Sequence, residues 1–276
     1  MVGAGVRTWV LGSGSRGNAV VIECGDGAHI LVDAGFFPTT LARRLQDAGI
    51  APEAIEAVVV THEHGDHARG AAAAALRWGW ALYATAGTIA ESPALADADV
   101  RSFEPGGTIS LGCVDVETVA VSHDASEPVA VVVTSRRTGS RTAIVYDLGH
   151  ADQPLRRLLH DIDVLVLEAN HDAGMLRAGP YPPSVQRRIA SRMGHLSNDA
   201  AARLARDCAG SGLGDLVLAH LSANCNEARI ALGTVADVLA PTSFRGRVHV
   251  APQDQIAGPF AGRSRRVSHV QLALGL

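Results

Sequence analysis

The sequence predicts a layered α/β fold, and three observations lead to this prediction. Short apolar runs rich in β-branched residues alternate along the chain with stretches of helical character. The 276 residues are 47% hydrophobic, which is enough material for an extended core. No internal repeat, low-complexity linker or long charge run divides the chain, so we expect one main domain over residues 1–257. Residues 258–276 are predicted to form a C-terminal extension, either an edge strand or a partly disordered segment.

The N-terminal part is predicted to begin with two strands, at residues 8–11 and 19–23. The segment between them, residues 12–18, is rich in glycine and serine and predicts a tight hairpin turn. Its amides are also suited to a phosphate, although the lysine of a phosphate-binding loop is missing. Asn18 is expected to face the functional site.

The remaining elements follow from apolar periodicity and turn residues. Helices are predicted at residues 39–48, 70–78, 153–160, 184–193 and 199–209. Further strands are predicted at residues 57–60, 114–121, 142–146 and 216–219, and residues 267–274 have strand-like apolar content suited to a sheet edge or a dimer contact.

The strongest chemical signal follows the strand at residues 57–60: His62-Glu63-His64-Gly65-Asp66-His67. Imidazole and carboxylate groups are ligands that suit zinc, manganese and iron. His62 and His64 are two residues apart and project to one side of an extended turn, whereas Gly65 lets the chain bend. Asp66 and His67 are thereby returned toward a second ion. The spacing predicts two divalent metal ions that share one activated water.

Other predicted strands also end in residues that can bind a metal. His123 follows the strand at 114–121, Asp147 follows the strand at 142–146, and His220 follows the strand at 216–219. Any one of them alone is more typical of a structural histidine or a turn aspartate. Their repetition at strand ends predicts that they complete the metal site.

These residues resemble the metallo-β-lactamase superfamily of binuclear hydrolases, which use an HxHxDH motif, a later histidine, a bridging aspartate and a final histidine. The resemblance spans nearly the whole chain. It implies an αββα four-layer sandwich of two mixed sheets, with helices outside and the metals at one edge. It also implies a division of ligands: His62, His64 and His123 for one ion, Asp66, His67 and His220 for the other, and Asp147 between them.

Five further segments resemble the YycJ/WalJ-like group of this superfamily: residues 11–18, 168–172, 175–176, 194–198 and 220–222. That group is regarded as bacterial DNA exonucleases, related in fold to tRNase Z and RNase J. The resemblance implies phosphodiester hydrolysis of nucleic acid, with DNA favoured over RNA. The final motif of the group reads close to HLSxENN, whereas this chain has His220-Leu221-Ser222-Ala223-Asn224-Cys225-Asn226. We therefore expect substrate contacts around Asn224 to differ.

His195 is the predicted proton donor or phosphate ligand, because it lies just ahead of the helix at residues 199–209. A helix N-terminus favours a nearby anion, and Ser197 or Asn198 is suited to cap it. A structural histidine in a capping turn is the alternative. His171 is predicted to orient a metal ligand. The expected substrate contacts are Asn18, His171, Ser197, Asn198 and Asn224.

The hypothesis for the mechanism uses a metal-bridging hydroxide that Asp66 orients for in-line attack on phosphorus. The ions bind the non-bridging oxygens and stabilise the transition state, while His195 helps the leaving oxygen depart. Two other interpretations stay open on the sequence. The same ligands suit hydrolysis of a thioester or a β-lactam, and a non-enzymatic alternative is a metal-stabilised regulatory or binding module.

The composition limits which binding partners and which cellular compartment we expect for this protein. The formal net charge is −4, so there is no global basic field of the kind many DNA-binding proteins carry, although arginines cluster locally near residues 136–141, 187–192 and 263–266. Four cysteines without CxxC spacing predict scattered thiols. The lack of a signal peptide and of a membrane span predicts a cytoplasmic protein without membrane partners, and the sequence is compatible with an oligomer.

Overall fold

Residues 5–24, 27–210 and 212–264 are described by the computed structural model, and they form two β-sheets with helices on their outer faces. The strands of the first half are β1 (Arg7–Gly12), β2 (Ala19–Glu23), β3 (His29–Val32), β4 (Ile55–Val59), β5 (Ala81–Thr85) and β6 (Val100–Phe103). Those of the second half are β7 (Thr108–Leu111), β8 (Val114–Ala120), β9 (Val129–Ser135), β10 (Arg141–Val145), β11 (Val164–Glu168), β12 (Asp215–Ala219), β13 (Arg247–Val250) and β14 (Ala257–Ala261).

Both sheets are mixed, as the resemblance implied. The first sheet has the order β14-β1-β2-β3-β4-β5-β6 and the second has the order β13-β12-β11-β10-β9-β8-β7. In each sheet the strands pair antiparallel at one end and parallel at the other. The parallel connections require crossovers, which the helices between the strands provide.

The helices are α1 (Pro38–Asp47), α2 (Gly65–Ala68), α3 (Ala71–Trp78), α4 (Ala86–Glu91), α5 (Gln153–Leu158), α6 (Ala173–Ala178), α7 (Pro183–Ile189), α8 (Asn198–Cys208) and α9 (Ala228–Leu239). A short 3₁₀ turn spans Pro52–Ala54. Within the described ranges, none of these helices has the length and apolar character needed to cross a bilayer.

Three apolar clusters separate four layers, which confirms the predicted αββα sandwich. The central cluster lies between the sheets, where valines of β1, β2 and β3 face Val131, Ile144 and Val166. The other two clusters lie under the helices of the first sheet and under those of the second. Strand β11 shows the pattern: Val164 and Val166 enter the central cluster, and Leu165 and Leu167 face the helices. The period of two follows from side chains alternating across a strand.

The predicted elements are present, with one boundary clearly displaced. The predicted hairpin of residues 8–23 is the antiparallel pair β1 and β2. The helix predicted to end at Met193 is α7, which ends at Ile189. The amide of His195 donates to the carbonyl of Ile189, so the chain reverses there instead of continuing the helix. This early reversal carries His195 back toward the edge of the second sheet.

The C-terminal prediction is only partly within the described chain. Strand β14 pairs with β1 at the edge of the first sheet, and it lies across the predicted boundary between residues 257 and 258. The strand predicted at residues 267–274 lies outside the described residues.

Candidate metal centre

Six strands end at one edge of the sandwich, and each is followed by a polar residue of the candidate site. These strands are β3, β4, β8, β10, β11 and β12. Three of the residues at their ends have left-handed backbone: Asp33 with φ of 61°, Asp147 with φ of 47° and His220 with φ of 53°. Such a conformation is unfavourable for a residue with a Cβ and is typical of functional sites. For His220 it is held by a hydrogen bond from its amide to Ser13 Oγ.

The first group contains the three histidines that the resemblance assigns to one ion. The rings of His62 and His64 have centroids 4.7 Å apart, and that of His123 lies 5.2 Å and 5.0 Å from them. His123 Nε2 is 3.3 Å from His64 Nδ1. The three side chains each offer a nitrogen within 4.8 Å of the others, which is close enough to surround one cation.

The second group joins Asp66, His67 and His220. Asp66 Oδ2 lies 3.6 Å from His67 Nε2 and 3.5 Å from His220 Nε2. Asp147 lies between the two groups, because its Oδ2 is 2.6 Å from His67 Nε2 and 3.5 Å from His62 Nε2. The structure therefore brings together all seven predicted metal ligands, in the two groups that the resemblance implied.

The hydrogen bonds of the histidines orient their rings in a way that suits the binding of divalent metals. In four of the five candidate ligand histidines, one ring nitrogen is within hydrogen-bond distance of a protein oxygen: His62 at Thr61 Oγ1, His67 at Asp33, His123 at the Gly194 carbonyl and His220 at Glu168. Metal-ligating histidines are oriented in this way through their second nitrogen. Meanwhile His62 Nε2 and His220 Nε2 are buried without a hydrogen-bond partner among the described residues. Burying a nitrogen without a hydrogen-bond partner costs free energy unless a cation binds it.

The charges of the site also favour the binding of divalent cations. Burial opposes the charged form of His67, yet the charges of Asp33, Asp147 and Asp66 hold its pKa well above the usual range. Burial likewise acts against the charged form of His220, but the charges of Asp147 and Glu168 and the nearby Asp66 carboxylate raise its pKa to about 9. The field that draws protons onto these imidazoles equally favours divalent cations, which would displace those protons.

Close backbone contacts hold the HxHxDH loop in place. The amide of Asn18 donates to the carbonyl of Asp66, and its side-chain Nδ2 is 3.0 Å from His67 Nε2. Gly35 touches the same loop so closely that a Cβ there would lie 1.7 Å from the Asp66 carbonyl oxygen. Only glycine fits such an approach. Asn18 thus faces the site, as predicted, from beneath the ligands.

Asp33 is a site residue that was not predicted. Its Oδ2 is 2.7 Å from His67 Nδ1 and accepts from Thr61 Oγ1 at 2.9 Å, while Oδ1 accepts from the Thr61 amide. Asp33 thereby fixes the ring of His67 and the start of the HxHxDH loop. A signal was present in the sequence, because Asp33 directly follows an apolar strand, as Asp147 and His220 nearly do.

Glu168 is the second residue that was not predicted as part of the site. It is completely buried, and its Oε2 accepts from the amides of Leu148 and Leu196. Its Oε1 is 2.7 Å from His195 Nδ1 and 3.1 Å from His220 Nδ1. Burial would raise the pKa of Glu168, but the charge of His195 and hydrogen bonds to His195 and His220 lower it to about 2. The carboxylate is therefore ionised and orients both imidazoles.

His195 lies against this carboxylate at the wall of the site. Burial lowers its pKa, but the charge of Glu168 and hydrogen bonds to Asp147 and Glu168 outweigh burial and raise it to about 11. Its Nδ1 contacts Glu168 and Asp147, whose Oδ1 is 3.1 Å away. A protonated ring held by Nδ1 leaves the N–H at Nε2 as a proton donor.

A cavity of about 220 Å³ opens over the two groups. His64, Asp66, His123, Asp147, His195 and His220 form its floor, and Tyr181, Arg188 and Asn224 contribute to its rim. At the rim, Asn224 Nδ2 donates to the Tyr181 hydroxyl at 2.9 Å and Arg188 Nε donates to Asp124 Oδ2 at 2.5 Å. Of the predicted substrate contacts, Asn224 is at this cavity.

The other four predicted substrate contacts do not line the cavity, and Asn18 is completely buried below the candidate ligands. Ser197 accepts from the amide of Ala200 and caps α8, which confirms its predicted capping role. Asn198 is buried and exchanges side-chain hydrogen bonds with Asn226. His171 is also buried, which lowers its pKa, and its carbonyl accepts from the Asn198 amide. The last three side chains support α8 and the segment that carries His195, so the structure gives them no contact with a ligand in the cavity.

Comparisons with known proteins agree with this geometry. A family model described as a β-lactamase superfamily domain matches residues 28–221. A Streptococcus pneumoniae protein named exodeoxyribonuclease WalJ is 32% identical over 242 residues, which cover 86% of this chain and 89% of that protein. A Bacillus anthracis protein named exodeoxyribonuclease YycJ is 32% identical over 244 residues, which cover 87% of this chain and 91% of that protein.

Solved structures share the fold at lower identity. The metallo-β-lactamase fold protein YhfI from Bacillus subtilis superposes with a TM-score of 0.69 at 17% identity, covering 92% of this chain and 99% of its own. The short form of human tRNase Z gives a TM-score of 0.63 at 18% identity, also with 92% of this chain and 99% of its own covered.

Proposed function

This chain belongs to the metallo-β-lactamase superfamily, and we propose that it is a metal-dependent phosphodiesterase that acts as a DNA exonuclease. The observation that carries the proposal is the pair of ligand groups joined by Asp147 at the floor of one cavity. Phosphodiester hydrolysis is suited to two closely spaced cations. The names of the two relatives, both exodeoxyribonucleases, favour DNA over RNA.

We propose two divalent cations, zinc, manganese or iron. His62, His64 and His123 would hold one, and Asp66, His67 and His220 would hold the other, with Asp147 contributing to both. When bound, the ions supply positive charge that lowers the pKa of a water and neutralises the phosphoryl oxygens. The unpartnered nitrogens of His62 and His220 support this assignment.

The protein side chains then perform the orientation and the proton transfer. Asp66 lies at the cavity floor and is suited to accept a hydrogen bond from the attacking water, which aligns it with phosphorus. Burial raises the pKa of Asp66, but the neighbouring charges of His67 and His220 lower it overall, so the group is an acceptor. As water forms the new P–O bond it gives up one proton to the Asp66 carboxylate, which releases it to solvent, and the bond between phosphorus and the leaving sugar oxygen breaks.

His195 is the proposed donor of the proton to that leaving oxygen. Glu168 holds its Nδ1 and stabilises the imidazolium, which leaves Nε2–H for the substrate. After transfer, the neutral ring regains a proton from solvent. The proposed substrate contact is Asn224 at the cavity rim, and Asn18 acts from below through His67. The cytoplasmic location stays a prediction.

The test is metal-dependent hydrolysis of end-labelled single-stranded DNA, double-stranded DNA and RNA, with manganese or zinc added. Wild type is compared with His195→Ala, and nitrocefin serves as the acyl control. Stepwise shortening of DNA is expected from wild type, with the rate lowered by ~10² or more in His195→Ala because a general acid is lost. Hydrolysis of nitrocefin without cleavage of any nucleic acid would replace the phosphodiesterase assignment by acyl hydrolysis.

A further inference from the structure

A second and larger cavity lies on the outer face of the second sheet, between α5 and α8. We call it the α5–α8 groove. Its volume is about 740 Å³, whereas that of the metal-centre cavity is about 220 Å³. Sites that hold a whole small molecule usually measure ~300–1,000 Å³. The metal centre therefore has room for a scissile group and little flanking chain, and the groove has room for more.

The α5–α8 groove is basic in a protein whose net charge is −4. Arg156, Arg203 and Arg206 line it, and Asp207 is its acidic residue. Arg156 pairs with Asp207, and Arg206 lies 3.8 Å from the same carboxylate. Arg203 is exposed and forms no hydrogen bond or ion pair with any part of the chain that the structure describes. The groove thus carries guanidinium charge that the protein itself does not neutralise.

The groove begins beside the metal centre. Gly149, two residues after Asp147, and Leu196, next to His195, both belong to its lining. Arg192 lies beside the groove, because its Nη2 is 2.5 Å from Nε2 of the groove residue His150. Arg188 lines the metal-centre cavity, so guanidinium groups are present at both cavities.

We propose that the α5–α8 groove binds the phosphodiester backbone of the nucleic-acid strand whose end is cleaved at the metal centre. This proposal rests on the proposed function and names where the uncleaved part of the substrate lies. Guanidinium groups match phosphate oxygens in two-pronged hydrogen bonds. Arg203 and Arg206 are three residues apart on α8, so they project from the same side of the helix toward the strand.

The test compares Arg203→Gln/Arg206→Gln with a matched control, Arg43→Gln/Arg77→Gln. The control removes two exposed arginines from α1 and α3, which cover the other sheet. Binding of fluorescent single-stranded DNA of about 30 and about 4 nucleotides is measured by anisotropy over a range of salt, with the metal-loaded protein and with phosphorothioate linkages that resist cleavage. Hydrolysis of a chromogenic phosphodiester reports separately on the metal centre.

For the long strand, we expect the groove variant to bind more weakly and its log–log salt slope to fall by ~1.4, because each lost phosphate contact removes ~0.7. The short strand and the chromogenic diester are expected to be unaffected, and the control variant should behave as wild type. Equal binding by the groove and control variants would overturn the proposal. Equal loss for short and long strands would also overturn it, because the arginines would then act at the metal centre.

The same experiment separates this proposal from the proposed function. If wild type binds the long strand through these arginines but cleaves neither DNA nor the diester, the exonuclease assignment fails and the groove stands. If wild type cleaves DNA while the groove variant binds and cleaves it unchanged, the exonuclease assignment stands and the groove proposal fails.

Discussion

The loop after β4 and the edge of the second sheet contribute to the candidate metal centre in different ways. The loop supplies His62, His64, Asp66 and His67 from six consecutive residues. The second sheet supplies single residues from separate segments, namely His123, Asp147, Glu168, His195 and His220. Each ligand group contains two residues of the loop and one histidine from the second sheet, so neither group is complete until the two sheets pack together.

The two regions also differ in charge. The loop contributes mainly imidazoles, whereas the second sheet contributes the fully buried carboxylates of Asp147 and Glu168. Burial would raise the pKa of Asp147, but the charges of His220 and His67 and hydrogen bonds from His195 and His67 hold it well below its usual range. The loop thus supplies three of the five candidate ligand imidazoles, whereas the second sheet supplies the other two, the two buried carboxylates and the proposed proton donor.

The largest expected effect is that of Asp147→Ala, because Asp147 is the proposed ligand that contacts both groups. We expect the rate of DNA cleavage to fall by ~10³ or more, as for the loss of a central catalytic group. Metal content per chain is expected to drop for both sites. It is measured by elemental analysis of the purified variant after dialysis against trace metal.

Asp66→Ala serves as the matched variant from the loop. We also expect it to remove nearly all turnover, but to weaken metal binding only in the group of Asp66, His67 and His220, so its effect on metal content is smaller than that of Asp147→Ala. Identical metal content in Asp66→Ala and Asp147→Ala would contradict this difference, because the loop and the second sheet would then contribute equally to metal binding. Comparable turnover by wild type and Asp66→Ala would contradict the mechanism itself.

A smaller effect is expected from Glu168→Gln. Each oxygen of Glu168 faces two nitrogens of neighbouring residues, so the amide group leaves one of these pairs without its acceptor. We expect ~1–3 kcal/mol of lost stability and a ~10²-fold lower single-turnover rate, because His195 loses its charged partner. Thermal unfolding and rapid-quench assays measure the two. Combining Glu168→Gln with His195→Ala should lower the rate little further, and additive losses would argue against their acting together.

The smallest effect is expected from Asp33→Asn. The amide nitrogen would donate to His67 Nδ1 and shift the ring proton to Nε2, the nitrogen that faces Asp66 and Asp147. Wrong orientation of a ligating histidine typically costs ~10–100-fold in metal affinity. Competition with a coloured chelator measures this affinity, and excess metal should restore turnover. An unchanged affinity would show that Asp33 has a purely structural role.

Six of the fourteen strands and five of the nine helices in the described residues were predicted from the sequence, because their signals are local. Alternation of apolar residues identified β8 and β10, and the turn of residues 12–18 identified the first hairpin. The end of α7 was predicted four residues too late, at Met193. It is set by a hydrogen bond from the His195 amide to Ile189, and no periodicity within α7 encodes that reversal.

The residues of the candidate site were likewise predictable only where the sequence carries a local signal. The HxHxDH loop was evident because its ligands are contiguous, and the repetition of polar residues at strand ends identified His123, Asp147 and His220. Glu168 was missed because its position at the end of β11 resembles an ordinary strand terminus. Ser197 and Asn198 were expected to contact substrate. Instead, Ser197 caps α8 and Asn198 forms a buried amide pair with Asn226.

The sequence by itself determined the layered α/β fold, the HxHxDH cluster and the ligand types, because periodicity and residue chemistry are properties of short segments. Only the tertiary structure brought these side chains together around Asp147 and placed Asp33 and Glu168 against the histidines. It alone brought the arginines of α5 and α8 to one groove beside the site. These relations join residues far apart in the chain, and they arise because apolar packing of the two sheets aligns their strand ends at one edge.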